Sequence, residues 1–169
     1  MMQAALRRLT SIPLLLGLSA LAACATRTAA PPIVDTGAPA PTPAYDWFLH
    51  QEEDRRALAF GVANSDEVKL QLFCRPGSGA LQLAATSEKP AREIHLESGG
   101  DTERYPATSE AAGIHDGEYL RAEASTKDPV IQRFRRLGWI AVWHGPERET
   151  YVAHPQSRAE IERFFSACG

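Results

Sequence analysis

The sequence predicts a mostly β domain, an antiparallel β-sandwich or small barrel with one short helix and a C-terminal helix. Three observations carry this expectation. Short stretches alternate apolar and polar residues at the two-residue period of a strand. Glycine- and proline-bearing turn signals recur between them. Two segments instead space their apolar residues at helical intervals.

Asp46–His50 and Arg56–Val62 open the domain as strands. Next, Val68, Leu70, Leu72 and Cys74 alternate with Lys69, Gln71 and Phe73, which puts Cys74 on the more aliphatic face of a strand. Arg75-Pro76-Gly77-Ser78-Gly79 supplies a hairpin loop into the strand Ala80–Ala85. Arg92–Leu96 sets Ile94 and Leu96 against Glu93 and His95, and Ser98-Gly99-Gly100-Asp101 turns the chain into Thr102–Ala107. Glu118–Ala124 is a further strand, with Tyr119 and Ala122 directed inward. A short helix follows, with Asp128 as N-cap, Pro129 at its first position, Ile131, Phe134 and Leu137 on its apolar face and Gly138 at its end. Trp139–Trp143 and Thr150–Ala153 form a last hairpin. Ser157 and Glu160 read as a capping box for the C-terminal helix, whose apolar stripe is Ile161, Phe164, Phe165 and Cys168.

The amino terminus has a different logic. Arg7 and Arg8 precede an apolar stretch, Ile12 to Ala20, followed by Leu21-Ala22-Ala23-Cys24. A basic head, a short apolar core and small residues form a secretory signal. The run is well short of the roughly 20 apolar residues that a membrane-spanning helix needs. With cysteine closing it, Leu21-Ala22-Ala23-Cys24 resembles the lipobox of bacterial lipoproteins. The resemblance implies removal of residues 1–23, a diacylglycerol on the Cys24 thiol and acylation of the new amino terminus. Ala25 follows, where inner-membrane lipoproteins of that class carry aspartate, and this implies the periplasmic face of the outer membrane. Residues 24–44, with Pro31, Pro32, Pro39, Pro41 and Pro43 among alanine, threonine and glycine, read as a disordered spacer. Such a tether reaches at most roughly 60 Å at ~3.1 Å per residue. Residues 45–169 form the single globular domain.

Export leaves Cys74 and Cys168 in an oxidising compartment, both on inward faces, and so predicts a disulfide between them. There is no C-x-x-C motif to favour a redox role.

Composition narrows the function classes. The chain carries a net charge of −3, and removing residues 1–23 takes away Arg7 and Arg8 and no acid, which makes the mature charge −5. That argues against a nucleic-acid partner, which requires a basic surface. His50, His95, His115, His144 and His154 show no local metal-ligand spacing, so no metal or other cofactor is expected. Ser78 lies in Gly-Ser-Gly rather than a nucleophile elbow, and no catalytic residue is assigned. Asp46, Glu52, Glu53 and Asp54 beside Arg55 and Arg56 read as a solvated turn. Trp139 and Trp143, on one strand face, read as core, with a sugar- or peptide-binding groove including Trp47 as the functional alternative. Arg133, Arg135 and Arg136 on the short helix are the candidate anion-binding cluster, with Arg121 earlier in the chain.

Two further resemblances concern the domain. Phe73-Cys74-Arg75-Pro76-Gly77-Ser78-Gly79 and Phe164-Phe165-Ser166-Ala167-Cys168-Gly169 are similar to segments of uncharacterised alphaproteobacterial lipoproteins, a group that implies no activity. The layout is also similar to membrane-bound inhibitors of c-type lysozyme. There Ser98-Gly99 followed by Tyr105 resembles the S-G-x-x-Y loop at a longer spacing, without the later aromatic–lysine–glycine segment. The expectation is therefore a membrane-anchored, non-enzymatic binding or structural module for an envelope protein or glycan. The alternatives are an inhibitor of a foreign hydrolase, with Ser98–Arg104 protruding, and an envelope hydrolase with a pocket assembled from distant residues.

Overall fold

The computed structural model describes residues 39–113 and 116–169. The predicted signal stretch, Cys24, most of the proline-rich segment and His115 lie outside them. The described residues form a nine-stranded antiparallel sheet that curls toward a nearly closed barrel, with two helices packed on it. Its strands are β1 (Tyr45–Gln51), β2 (Arg56–Val62), β3 (Val68–Cys74), β4 (Ala80–Ser87), β5 (Glu93–Ser98), β6 (Asp101–Ala111), β7 (Glu118–Ser125), β8 (Trp139–His144) and β9 (Glu147–Val152). The helices are α1 (Pro129–Leu137) and α2 (Arg158–Cys168). The mostly β architecture and both helices are as the sequence predicts.

The spatial order is β1-β2-β3-β4-β7-β6-β5-β8-β9. The hairpin β5–β6 is thus an excursion, and β7 returns to pair with β4. Strand β6 makes this possible by changing partners along its length. Asp101–Pro106 pairs with β5, and Ala107–Ala111 pairs with β7. Pro106, which lacks an N–H to donate, stands at the changeover. The sheet therefore folds into two halves joined through one long strand.

Because neighbours are antiparallel throughout, the ninth strand runs in the same direction as the first. An antiparallel ladder between β1 and β9 is therefore excluded, and side chains bridge the seam. Inside it, Tyr151 stacks on Phe60 at 4.7 Å. At its corner Asp46 Oδ1 accepts the backbone N–H of His154 at 3.1 Å and the Ser157 hydroxyl.

The core lies between the concave sheet face and the helices. Leu58, Leu70, Leu72, Leu83, Ile94, Leu96, Ile140 and Val142 line the sheet side, all buried. Phe134 of α1 packs against Trp47 at 4.6 Å and Phe165 of α2 at 5.9 Å, which ties both helices to β1. Asp128 precedes α1 in an extended conformation, Pro129 opens the helix, and Gly138 ends it with its N–H on Phe134 O at 2.7 Å. The first turn of α1 has no acid of its own; Glu103 of β6 supplies one, accepting the Val130 N–H at 3.2 Å.

Three local expectations change. Tyr119 points outward, because Leu120 and Ala122 occupy the inward positions of β7 and the pleat alternates. Ser157 precedes α2 but its hydroxyl does not cap the helix; it is spent on Asp46 instead. Trp139 and Trp143 share a face, but it is the outer one, since Ile140 and Val142 take the core side of β8.

Candidate functional site

Cys74 and Cys168 form a disulfide with their Cα atoms 5.8 Å apart. It fixes the end of α2 to the end of β3. The Arg75–Gly79 loop completes the joint, since the N–H groups of Gly77 and Gly79 bond the carbonyls of Ala167 and Cys168, each at 2.8 Å. These donors satisfy helix-terminal carbonyls that α2 cannot pair internally. The glycines around Ser78 therefore serve backbone approach.

The helix arginines do not converge. Arg133 reaches the β5–β6 turn, pairing with Asp101 at 2.5 Å and donating to Gly99 O at 3.2 Å. Arg135 turns to α2 and donates to both carboxylate oxygens of Glu162, whose pKa this guanidinium holds below its ordinary value. Arg136 is exposed and has no ion-pair partner among the described residues. Two members of the predicted anion-binding cluster thus serve internal carboxylates.

Ser98–Arg104 does not protrude. Gly99 and Gly100, both with positive φ, make a two-residue hairpin turn, Ser98 is fully buried, and Arg133 holds the outside. The remaining residues of the segment lie in β6.

Two polar arrangements occupy the outer sheet surface. On the β5–β8–β9 half, Arg148 donates to both oxygens of Glu97 at 2.8 and 2.9 Å, and the Trp143 indole N–H adds a third bond at 2.9 Å. His95 stacks on Trp143 at 5.8 Å, and Arg148 lies over Trp139 at 5.5 Å. The Arg148 hydrogen bonds depress the Glu97 pKa, while burial depresses that of His95, aided by Arg104. Within this half His95 Nε2 is buried and has no hydrogen-bond partner among the described residues.

The other arrangement is open. Across the outer surface of β3, β4 and β7 runs a cleft of about 740 Å³. Its lining includes Arg55, Phe73, Arg75, Gln82, Arg121 and Glu123. A second hollow of about 370 Å³ shares Gln82, Arg121 and Glu123 and continues to Pro106 and Thr108 of β6. Together they form a groove across four adjacent strands. Arg55 lies over the Phe73 ring at 3.9 Å, and Arg121 lies over the Tyr119 ring at 4.8 Å. Arg121 also pairs with Glu110 at 3.1 Å. The phenol of Tyr119 donates to Gln71 at 2.9 Å, and burial raises its pKa against the pull of Arg121 and Arg55. Arg55 and Arg75 have no carboxylate partner among the described residues. The groove therefore presents cationic, aromatic and amide groups side by side.

No local sequence pattern assembles this groove, although one residue signals it. Phe73 is an aromatic residue on the polar side of a strand whose other side holds Leu70, Leu72 and Cys74. The acidic residues around β1 divide in the fold: Asp46, near its start, goes to the seam, and Asp54, past its end, goes to the rim of the cleft. Among the described residues no three His, Cys, Asp or Glu side chains are grouped to hold a metal ion. No helix among them is long and apolar enough to cross a membrane. Compared with family models, curated proteins and solved structures, the chain matches none.

Proposed function

We propose that this chain is an envelope lipoprotein anchored through acyl groups on Cys24, and that its β domain is a non-enzymatic binding module. The observation that carries the binding reading is the groove over β3, β4, β7 and β6, where Arg55 and Arg75 stand without carboxylate partners beside Phe73. Elsewhere the arginines that approach acids are paired, as Arg133, Arg135 and Arg148 illustrate. A charged side chain left unmatched beside an aromatic surface in a cleft is available to a ligand. The Cys74–Cys168 bridge supports export, because such bonds persist in oxidising compartments.

The mechanism is local concentration. The anchor confines the domain near a membrane, residues 24–44 set its reach, and the groove makes the contact. Two acyl chains hold firmly where one is marginal.

The test combines intact-mass analysis with in-cell crosslinking of the full-length protein. A Cys24 mass increment matching acylation is expected, together with an envelope partner captured through groove residues. That capture should be lost in Cys24→Ser and in the double variant Arg55→Gln/Arg75→Gln. An unmodified Cys24 overturns the anchor, and capture indifferent to the groove double variant overturns the contact surface.

A further inference from the structure

Resting on that reading of the groove, we propose that its ligand is an extended peptide whose free C-terminal carboxylate sits between Arg55 and Arg75.

The β2–β3 ladder ends at the pair Arg56 and Cys74, and Arg55 and Arg75 are the next residue beyond it on each chain. Like charges facing one another across two chains repel. Both are exposed, both line the cleft, and neither has an ion-pair partner among the described residues. A carboxylate between them relieves the repulsion and accepts charge-assisted hydrogen bonds from guanidinium groups suited to its planar geometry.

The rest of the lining selects among anions. Asp54 and Glu123 share the cleft with the arginines, so a polyanion would meet repulsion along its length, whereas a ligand with one terminal charge would not. The chain's net charge of −3 likewise disfavours an anionic membrane surface. Gln82, midway along the groove, offers both an amide donor and a carbonyl acceptor, which a peptide bond matches on both counts.

Dimensions agree. The groove crosses β3, β4, β7 and β6, and strands spaced about 4.8 Å apart give a span of roughly 14 Å, enough for about four extended residues. Guanidinium stacking on Phe73 holds Arg55 in place before the ligand arrives, which lowers the entropy cost of binding.

Arginine-selective modification with phenylglyoxal, read residue by residue by mass spectrometry, tests the assignment on the full-length protein. The probes are a randomised N-acetylated pentapeptide mixture with free C-termini, the same mixture C-amidated, and phosphatidylglycerol vesicles. At about nine times its dissociation constant, the free-acid mixture should slow modification of Arg55 and Arg75 by about tenfold, because only the unoccupied site reacts. The amidated mixture should not protect them. Arg92 and Arg136, exposed and outside the groove, should react equally throughout.

Equal protection by acid and amide overturns the carboxylate assignment while leaving the groove a contact surface. Protection by vesicles but by neither peptide mixture assigns the arginines to a membrane instead. No protection by the free-acid mixture overturns the peptide proposal. In that case the groove reading still stands if the Arg55→Gln/Arg75→Gln double variant loses its crosslinked partner, and falls if it does not.

Discussion

Asp46 and Ser157 stand 111 positions apart and share a hydrogen bond that closes the fold. The same carboxylate oxygen accepts the N–H groups of Trp47 at 2.8 Å and His154 at 3.1 Å. One side chain in the first strand therefore fixes the chain leaving the last strand and entering the last helix. Ser157 is only 4% exposed, so water replaces little of what its removal would lose. Ser157→Ala should cost about 1.5–3 kcal/mol, the range for a hydrogen bond to a charged group, and Asp46→Ala more, since it strands several donors. Urea unfolding of both singles and the double variant checks this. Additive losses would show that the two residues act independently.

The Cys74–Cys168 bridge closes a long loop, with a sequence separation of 94. Cys74→Ser, Cys168→Ser and the double variant should each lose about 2–5 kcal/mol, and the three should be alike because they remove one bond. The backbone donors of Gly77 and Gly79 remain on the end of α2 without the bridge. Reduced protein should therefore keep its helical circular dichroism while its unfolding midpoint falls. An unchanged midpoint on reduction would refute the stabilising role.

Much of this architecture was legible in the chain because strand alternation and helical spacing are local signals. Leu70, Leu72 and Cys74 marked the buried side of β3, while Ile161, Phe164 and Phe165 marked that of α2, and both are buried as read. The errors lie where the deciding partner is distant. That β6 runs on to Ala111 depends on β7 taking over as partner beyond Pro106. Trp139 and Trp143 share one face, but the core side of β8 is decided by Ile140 and Val142 meeting Leu96 and α1. Ser157 had the sequence of a cap, and a carboxylate from β1 outcompeted its helix. The groove was hidden for the same reason: Arg55, Phe73, Arg121 and Glu123 come together only when β2, β3, β4 and β7 align.

Acid should weaken the domain in two stages. His95 has its pKa lowered from 6.5 chiefly by burial, with Arg104 lowering it further while Glu93 and Glu97 oppose. A depressed histidine leaves its full stability in place above pH 6.5, and that stability drains as pH falls toward the folded value. Glu97 is depressed from 4.5, first by its Arg148 hydrogen bonds, and its contribution drains below 4.5 as pH falls through the folded value. His95→Gln should abolish the upper stage and leave the lower. Arg148→Met should cost about 1.5–3 kcal/mol at neutral pH, a deficit that shrinks once Glu97 is protonated. Denaturant midpoints across pH 3–8, with Trp143 fluorescence as the local probe, separate the stages. A single transition unaffected by His95→Gln would remove the histidine from the account.

Gly61 tests how the β2–β3 hairpin is built. The β2–β3 register shifts between Phe60 and Gly61, and there the backbone of β3 crowds in. A Cβ on Gly61 would lie 2.3 Å from the Glu67 carbonyl oxygen and 3.2 Å from the Val68 Cα. Those are main-chain atoms, and that same carbonyl accepts the Val62 N–H at 3.0 Å, so relief requires moving a paired strand. Gly61→Ala should therefore cost about 2 kcal/mol or more, in the range of overpacked sites. Gly113→Ala is the matched control, since nothing lies within 4 Å of its added Cβ. That substitution should stay within about 0.5 kcal/mol of the parent. The shift also carries the chain toward Lys69, which meets Glu149 of β9 at 3.8 Å. A Gly61→Ala protein as stable as its parent would mean that the shift yields freely, and that close approach at this position does not hold β2 and β3 in register.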